Sequence, residues 1–176
     1  MLSMSKHLRF ATLAFVLAVA ACTTKPKTAE APPPEGPPPA TSTQNQVETT
    51  VVPGSVQDFR VNVGDTVHFD YDKYEINGQD RELLQRQAQW LQKYAQVRVT
   101  VEGHCDERGT REYNLALGAR RANAVKEYLV SLGVSSARVD TISYGKERPV
   151  CTESDESCWA QNRRGVTTIT SGATTS

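Results

Sequence analysis

The residues best placed to do chemistry are a few opposed charges. Arg121 falls four residues after Leu117, three before Ala124 and four before Val125, inside what reads as the apolar stripe of a helix. An arginine there must snorkel or meet an anionic partner, because burying it unpaired costs several kcal/mol. Its neighbour Arg120 points elsewhere and reads as a solvated charge. Asp106 and Asp72 each end a segment with strand character. In open α/β sheets, ligands bind outside the carboxyl ends of strands. Two carboxylates near a semi-buried guanidinium would suit a ligand carrying both an ammonium and a carboxylate. They would equally suit an internal ion pair in which Asp106 or Asp72 neutralises Arg121.

The cysteines and His104 raise other possibilities. His104-Cys105-Asp106 invites a thiol nucleophile, but neighbours along a strand point to opposite faces, so His104 is badly placed to activate Cys105. Cys105 reads instead as a small buried hydrophobe. A metal site from His104, Asp106, Cys151 and Cys158 would lack C-x2-C spacing. Cys151 and Cys158 are the natural disulfide pair in an oxidising compartment. Closing that short loop would stabilise by about 2–3 kcal/mol in the chain-entropy model. No Gly-rich phosphate loop and no Ser/His/Asp order occurs.

The elements that must position these residues lie between 59 and 170. Asp65–Asp72 alternates Val67, Phe69 and Tyr71 against His68, Asp70 and Asp72, the pattern of a strand with one wet face. Leu83, Leu84, Ala88, Leu91 and Tyr94 recur at helical spacing over Gln79–Tyr94, with Gly78 and Asp80 near the start. Val97–Asp106 alternates again, with Val97, Val99, Val101, Gly103 and Cys105 on one face and His104 and Asp106 on the other. Thr110–Leu132 reads as a long helix stopped by Gly133, its stripe running Tyr113, Leu117, Ala124, Val125, Tyr128, Leu129 and Leu132. Val139–Tyr144 is a third strand, and Gly165–Thr170 a last one after a short helix near Trp159–Arg163. Period-two alternation argues against a doubly covered parallel sheet. The expected fold is an α/β (α+β) two-layer sandwich, with helices on one face of a four-stranded mixed sheet.

The remainder of the chain reads as address and tether. Lys6 and Arg9 precede the uncharged run Phe10–Ala21, too short for a spanning helix and suited to a signal-peptide core. The small residues Ala20 and Ala21 then precede Cys22, which resembles a bacterial lipobox; residues 1–21 would be removed and Cys22 acylated. Two or more acyl chains anchor a protein stably in a membrane. Thr23, where that pattern places Asp for inner-membrane retention, implies sorting to the outer membrane. From Thr23 to Asp58 there is no aromatic residue, and eight of the nine prolines lie before residue 54. Residues 22–58 therefore read as the lipidated cysteine plus a disordered tether. Its reach is roughly 33 Å as a coil and at most about 110 Å as polyproline II. Residues 171–176 read as a flexible tail. Lys and Arg number 20 against 20 Asp and Glu. Zero net charge speaks against a polyanion-coating protein, which needs a basic stripe. Losing the leader removes Lys6 and Arg9 and no acid, leaving 18 basic against 20 acidic residues.

Five stretches carry a resemblance: HFDYDKYEI (68–76), VEGHCDERGTREYNLALG (101–118), RRANAV (120–125), SYGKERP (143–149) and NRR (162–164). In this order and spacing they resemble the lipid-anchored, wall-binding branch of the OmpA-like domain family, over about residues 59–170. The resemblance implies a βαβαβ-type domain that needs no cofactor, is not an enzyme, and binds peptidoglycan noncovalently at the meso-diaminopimelate of its peptide stem. It implies Asp106 as the ammonium contact, Arg121 as a bidentate partner of the carboxylate, and Asp72 as a second acid, with Tyr71 where Phe is more usual. Asn114 and Arg163 match further contacts; a helix cap for Asn114 and a surface charge for Arg163 compete. By resemblance the domain also partners TolB, the periplasmic propeller protein of the Tol system, during envelope constriction. Acylated Cys22 would sit in outer-membrane lipid, with the domain in the periplasm. Three positions depart from the family pattern: Cys105, Gly165, and the Cys151/Cys158 pair. The competing expectation is a thiol- or metal-dependent wall hydrolase using Cys105 and His104.

Overall fold

The computed structural model describes residues 51–175. The leader, Cys22 and the tether up to residue 50 lie outside the described residues. Four strands, β1 (Thr66–His68), β2 (Arg98–His104), β3 (Val139–Gly145) and β4 (Arg164–Ser171), form one sheet in the order β1-β4-β2-β3. β2 and β3 are parallel, joined through α3 (Arg111–Ser131), while β4 runs antiparallel to both β1 and β2. Helix α2 (Gly78–Lys93) packs beside α3, and their buried Leu84, Ala88, Leu91, Ala122, Val125 and Leu129 share one core with Val99, Val101 and Val139 of the sheet. Each of the leucines and valines contributes roughly 1.5–3 kcal/mol by leaving water, and each alanine methyl about 0.8. The structure is the expected two-layer sandwich.

The boundaries moved where the backbone had partners that composition could not show. The expected start at Phe59 cuts through ordered structure. Ser55, itself buried, caps a single turn, α1 (Val56–Asp58), that runs into a π turn over Phe59–Val63. Asp58 Oδ2 accepts hydrogen bonds from the Gly54 N–H and from Trp90 Nε1, both at 2.8 Å, and so holds this segment on α2. At the other end the expected flexible tail is attached as far as Thr174. Its N–H donates to the Gly54 carbonyl, and its Oγ1 to the Pro53 carbonyl. The terminal strand expected over Gly165–Thr170 forms despite its threonines. Thr167 is buried and donates to Gln87 Oε1 at 2.9 Å, while Gln87 Nε2 donates to the Gly64 carbonyl. The short helix is α4 (Glu156–Asn162), which begins three residues earlier than expected because Asp155 caps it.

Two corrections concern the site directly. The strand expected over Asp65–Asp72 ends at His68. Phe69 N–H still donates to the Arg163 carbonyl, but the chain then turns, Tyr71 is exposed, and Asp72 takes the left-handed conformation with φ 57°. The alternation of β2 also fails at its end. Past a register shift between Gly103 and His104, the face expected to be wet is covered, so that His104 and Asp106 are buried as well as Cys105. His104 lies against Tyr144 and Glu102, and Cys105 against Asn114 of α3. The inner face of α3 is rotated from the expected stripe and reads Asn114, Leu117, Gly118, Arg121, Ala122, Val125 and Leu129; Tyr113 is outside. Gly118 explains the rotation. It meets Gly103 backbone to backbone, so the helix approaches β2 closely only on that side. A methyl on Gly103 would lie inside the contact radius of the Gly118 carbonyl. Gly103→Ala should therefore lower stability by roughly 3 kcal/mol or more, read as the shift of the urea midpoint.

His104 is 2% exposed and lies against the Tyr144 ring. Neither ring nitrogen has a hydrogen-bond partner, and Glu102 Oε2 is 3.5 Å from Nε2. Burial, with Arg164 and Arg148 nearby, pushes its pKa down to about 4. Because the unfolded chain titrates near 6.5, this stabilisation is complete above that pH and is lost as pH falls towards 4. The expected loss is on the order of 3 kcal/mol. Unfolding measured from pH 7.5 to 4 should show this slope in the wild type and a flatter one in His104→Gln.

Candidate functional site

A cavity of about 210 Å³ opens between the turn after β1, the loop after β2 and the first half of α3. Tyr71, Asp72, Asp106, Arg108, Tyr113 and Arg121 are among its lining residues. Thr110 caps α3 by accepting from the Tyr113 N–H, which aims the first turn of the helix at the cavity. Arg121 lies on the same face, two turns further along.

Arg121 has no exposed surface, yet it meets no carboxylate. Its Nε donates to the Lys73 carbonyl at 2.8 Å, Nη1 to the His104 carbonyl at 2.8 Å and Nη2 to the Asp70 carbonyl at 3.1 Å. The guanidinium also lies 5.2 Å from the Phe69 ring centroid. The internal ion pair that Asp106 or Asp72 was expected to offer is not made; main-chain carbonyls take its place. Of five N–H donors on an arginine, three are used, which leaves one on each Nη. Burial holds the pKa of Arg121 below its ordinary value.

The two acids differ. Asp72 is exposed, and its Oδ1 accepts a short hydrogen bond from the Tyr113 hydroxyl, which raises the Tyr113 pKa. Asp106 is 4% exposed. Its Oδ1 accepts from the Arg108 N–H and Nε, both at 3.1 Å, and its Oδ2 from Arg108 Nη2 at 2.6 Å and Arg163 Nη1 at 3.4 Å. Burial by itself would raise the Asp106 pKa, but the hydrogen bonds from Arg108, backed by Arg163, outweigh it and hold the carboxyl below the usual range.

The other expected residues have structural duties. Asn114 is buried and donates from Nδ2 to the Arg108 and Thr110 carbonyls, tying the loop to the helix; the cap itself is Thr110. Arg163 is buried rather than a surface charge. It donates to the Phe69 carbonyl and to Glu156 Oε1, and it stands behind Asp106 instead of lining the cavity. Tyr71 forms an exposed wall. Arg108 and Tyr113 were not anticipated as site residues. Loop residues such as Arg108 have no periodicity to betray their direction. Tyr113 does share the spacing of Leu117 and Arg121, which had placed it in the core.

Nothing here makes Cys105 a nucleophile. Its Sγ donates to the Asn114 carbonyl at 3.3 Å, and burial raises its pKa to about 11, so the thiol stays protonated. Cys151 and Cys158 are disulfide-bonded with Cα atoms 5.1 Å apart, which removes them from any metal site. Among the described residues, no group of three or more His, Cys, Asp or Glu side chains is placed to hold a metal ion.

Comparison with known proteins shows the family and the fold. A model of the OmpA family matches residues 68–163. The peptidoglycan-associated lipoprotein of Mesorhizobium japonicum is 63% identical over 121 residues, covering 69% of this chain and 71% of that protein. Its namesake in Pseudomonas aeruginosa is 54% identical over 99 residues, 56% of this chain and 58% of that one. Among solved structures, the peptidoglycan-associated lipoprotein of Burkholderia pseudomallei superposes with a TM-score of 0.59 at 46% identity, over 60% of this chain and 90% of its own. The C-terminal domain of Helicobacter pylori MotB shares the fold, with a TM-score of 0.57 at 24% identity over 61% of this chain and 84% of that one. With the family model spanning more than half its length and relatives this similar, the chain belongs to the OmpA family, among the peptidoglycan-associated lipoproteins.

Proposed function

We propose that this protein is an outer-membrane lipoprotein whose periplasmic domain binds the meso-diaminopimelate of the peptidoglycan stem noncovalently in the cavity above Arg121. The observation that carries this reading is a buried guanidinium with no carboxylate partner beneath two aspartates. The free end of diaminopimelate bears one ammonium and one carboxylate. Its carboxylate takes the N–H left on each Nη of Arg121 once a shift of the cavity wall uncovers that fully buried side chain, a paired geometry that an ammonium such as lysine's cannot supply. Its ammonium takes Asp72 directly. At Asp106 the four acceptor positions are already engaged by Arg108 and Arg163, so the ammonium enters there only in exchange for Arg108. Tyr71 and Tyr113 form the walls. All contacts are hydrogen bonds and charges, with no group to attack a bond, so the activity is binding rather than catalysis.

Acylated Cys22 would fix the other end of the chain in the outer membrane, and the proline-rich segment would span the gap to the wall. The same protein would serve the Tol system by engaging TolB, supporting envelope integrity and constriction during division.

A titration of the purified protein with diaminopimelate-containing stem peptide, and a pull-down on isolated sacculi, test this reading. Asp72→Asn and Asp106→Ala should each weaken binding by about 10-fold or more, the scale of one lost charge-assisted hydrogen bond. A stem peptide with lysine in place of diaminopimelate lacks the carboxylate and should bind more weakly to the wild type. Unchanged binding in both Asp106→Ala and Arg121→Ala would sink the site assignment. Release of soluble muropeptides by the wild type would show an enzyme instead.

A further inference from the structure

The Cys151–Cys158 disulfide lies outside the cavity, yet the cavity depends on what it holds. Cys158 is fully buried in α4, a helix of seven residues that is too short to persist by itself. Two attachments fix that helix from the loop side. One is the disulfide. The other is Asn162, whose Nδ2 donates to the Cys151 carbonyl at 2.7 Å, and whose Oδ1 accepts from the Val150 and Cys151 N–H groups. Both converge on residue 151.

From α4, three side chains reach three consecutive residues of the loop after β2. Arg163, which caps the helix, contacts Asp106 Oδ2. Trp159 Nε1 donates to Glu107 Oε1 at 3.0 Å. The Arg108 guanidinium also lies over the Trp159 ring, 4.0 Å from its centroid, and 4.1 Å from the centroid of the Tyr71 ring. Glu156 closes the set by accepting from Arg163 at 2.6 Å and lying 3.9 Å from Arg108 Nη1. Arg108 is therefore held by one ring from the cavity wall and one ring from α4. Its hold on Asp106 decides how readily that carboxylate accepts a ligand ammonium.

We propose that the Cys151–Cys158 disulfide is a positioning element of the stem-peptide site: by fixing α4 it sets the geometry of Asp106 and Arg108, and its reduction by a dithiol weakens wall binding. The inference rests on the stem-peptide reading above. The chemistry is ordinary exchange. A thiolate of the dithiol attacks the half-buried Cys151 sulfur, and Cys158 leaves as a thiolate and takes a proton. The second thiol of the reagent then closes the reagent's own disulfide and releases the Cys151 thiol. Two electrons pass to the protein and the dithiol is oxidised. Cys105, already a buried thiol, takes no part.

The test uses the full chain in oxidised, dithiothreitol-reduced and reoxidised forms, together with a Cys151→Ser/Cys158→Ser double variant. Each is titrated with diaminopimelate-containing stem peptide well below its melting temperature, with circular dichroism as the check on fold. The reduced and double-serine forms should bind about tenfold more weakly with an unchanged spectrum, because the site has lost preorganisation. Reoxidation should restore the wild type and leave the double variant weak. A Trp159→Leu/Glu156→Gln variant keeps the bridge and Arg163 but removes the Trp159 and Glu156 contacts to Glu107 and Arg108, and it should reproduce most of the loss. Equal binding by oxidised and reduced protein overturns the inference. Should reduction unfold the chain, wild-type binding by the Trp159→Leu/Glu156→Gln variant overturns it. Asp106→Ala separates the two readings. Undiminished binding both there and in Arg121→Ala removes the site and this inference with it, whereas undiminished binding in Asp106→Ala alone, or lost binding there with no effect of reduction, removes the inference alone.

Discussion

Arg121 carries a full positive charge in a place that water does not reach, and the domain is arranged to make that tolerable. Dehydrating a guanidinium costs several kcal/mol even after relaxation. The opposing terms are three main-chain carbonyls at 2.8–3.1 Å and the face of Phe69. Two of those carbonyls, Asp70 and Lys73, belong to the turn after β1; the third, His104, ends β2. One side chain thus joins a helix to two other elements. A charge satisfied by dipoles rather than by a carboxylate keeps its field, and that field is what the proposed site would offer a ligand carboxylate.

The position of Arg121 follows from glycine. Gly118 and Arg121 lie one turn apart on α3, and Gly118 meets Gly103 backbone to backbone. That close approach sets the depth of the helix against the sheet and so the reach of the guanidinium. Pulled by Arg121, the turn at Asp70–Lys73 leaves the sheet early, and Asp72 adopts a left-handed backbone conformation that few residues take. Its carboxylate then meets the Tyr113 hydroxyl from the first turn of α3. Asp106 receives the opposite treatment. Two arginines hold it, one of them in contact with two aromatic rings, so its charge is stabilised but its acceptors are occupied. The cavity combines one exposed acid with one guarded acid above a buried cation.

Much of the fold was legible from periodicity. The four strands, both long helices and the short helix before β4 lie near the expected places, because alternation and helical spacing report burial, and burial decides packing. Errors arose where a tertiary contact replaced a local rule. Asp65–Asp72 alternates like a strand but leaves the sheet at His68, since Arg121 claims the carbonyls beyond it. His104 and Asp106 were placed on a wet face, yet both are as buried as Cys105, because Tyr144 and the arginines around Asp106 cover them. Ser55 and Thr174 looked like tether and tail, yet both ends are ordered by hydrogen bonds between residues far apart in sequence.

At the site, residue types and order alone identified Asp72, Asp106 and Arg121 as opposed charges near one another, since a cation in an apolar stripe demands an explanation. They also brought Cys151 and Cys158 together as a pair. Tertiary structure decided how those charges are used. It gave Arg121 carbonyls instead of acids, engaged Asp106 with Arg108 and left Asp72 to Tyr113. It also turned Arg163 and Asn114 into supports. The physical reason is that spacing along a chain reports which face a residue occupies, whereas hydrogen-bond partners are chosen in space among groups up to 121 residues apart.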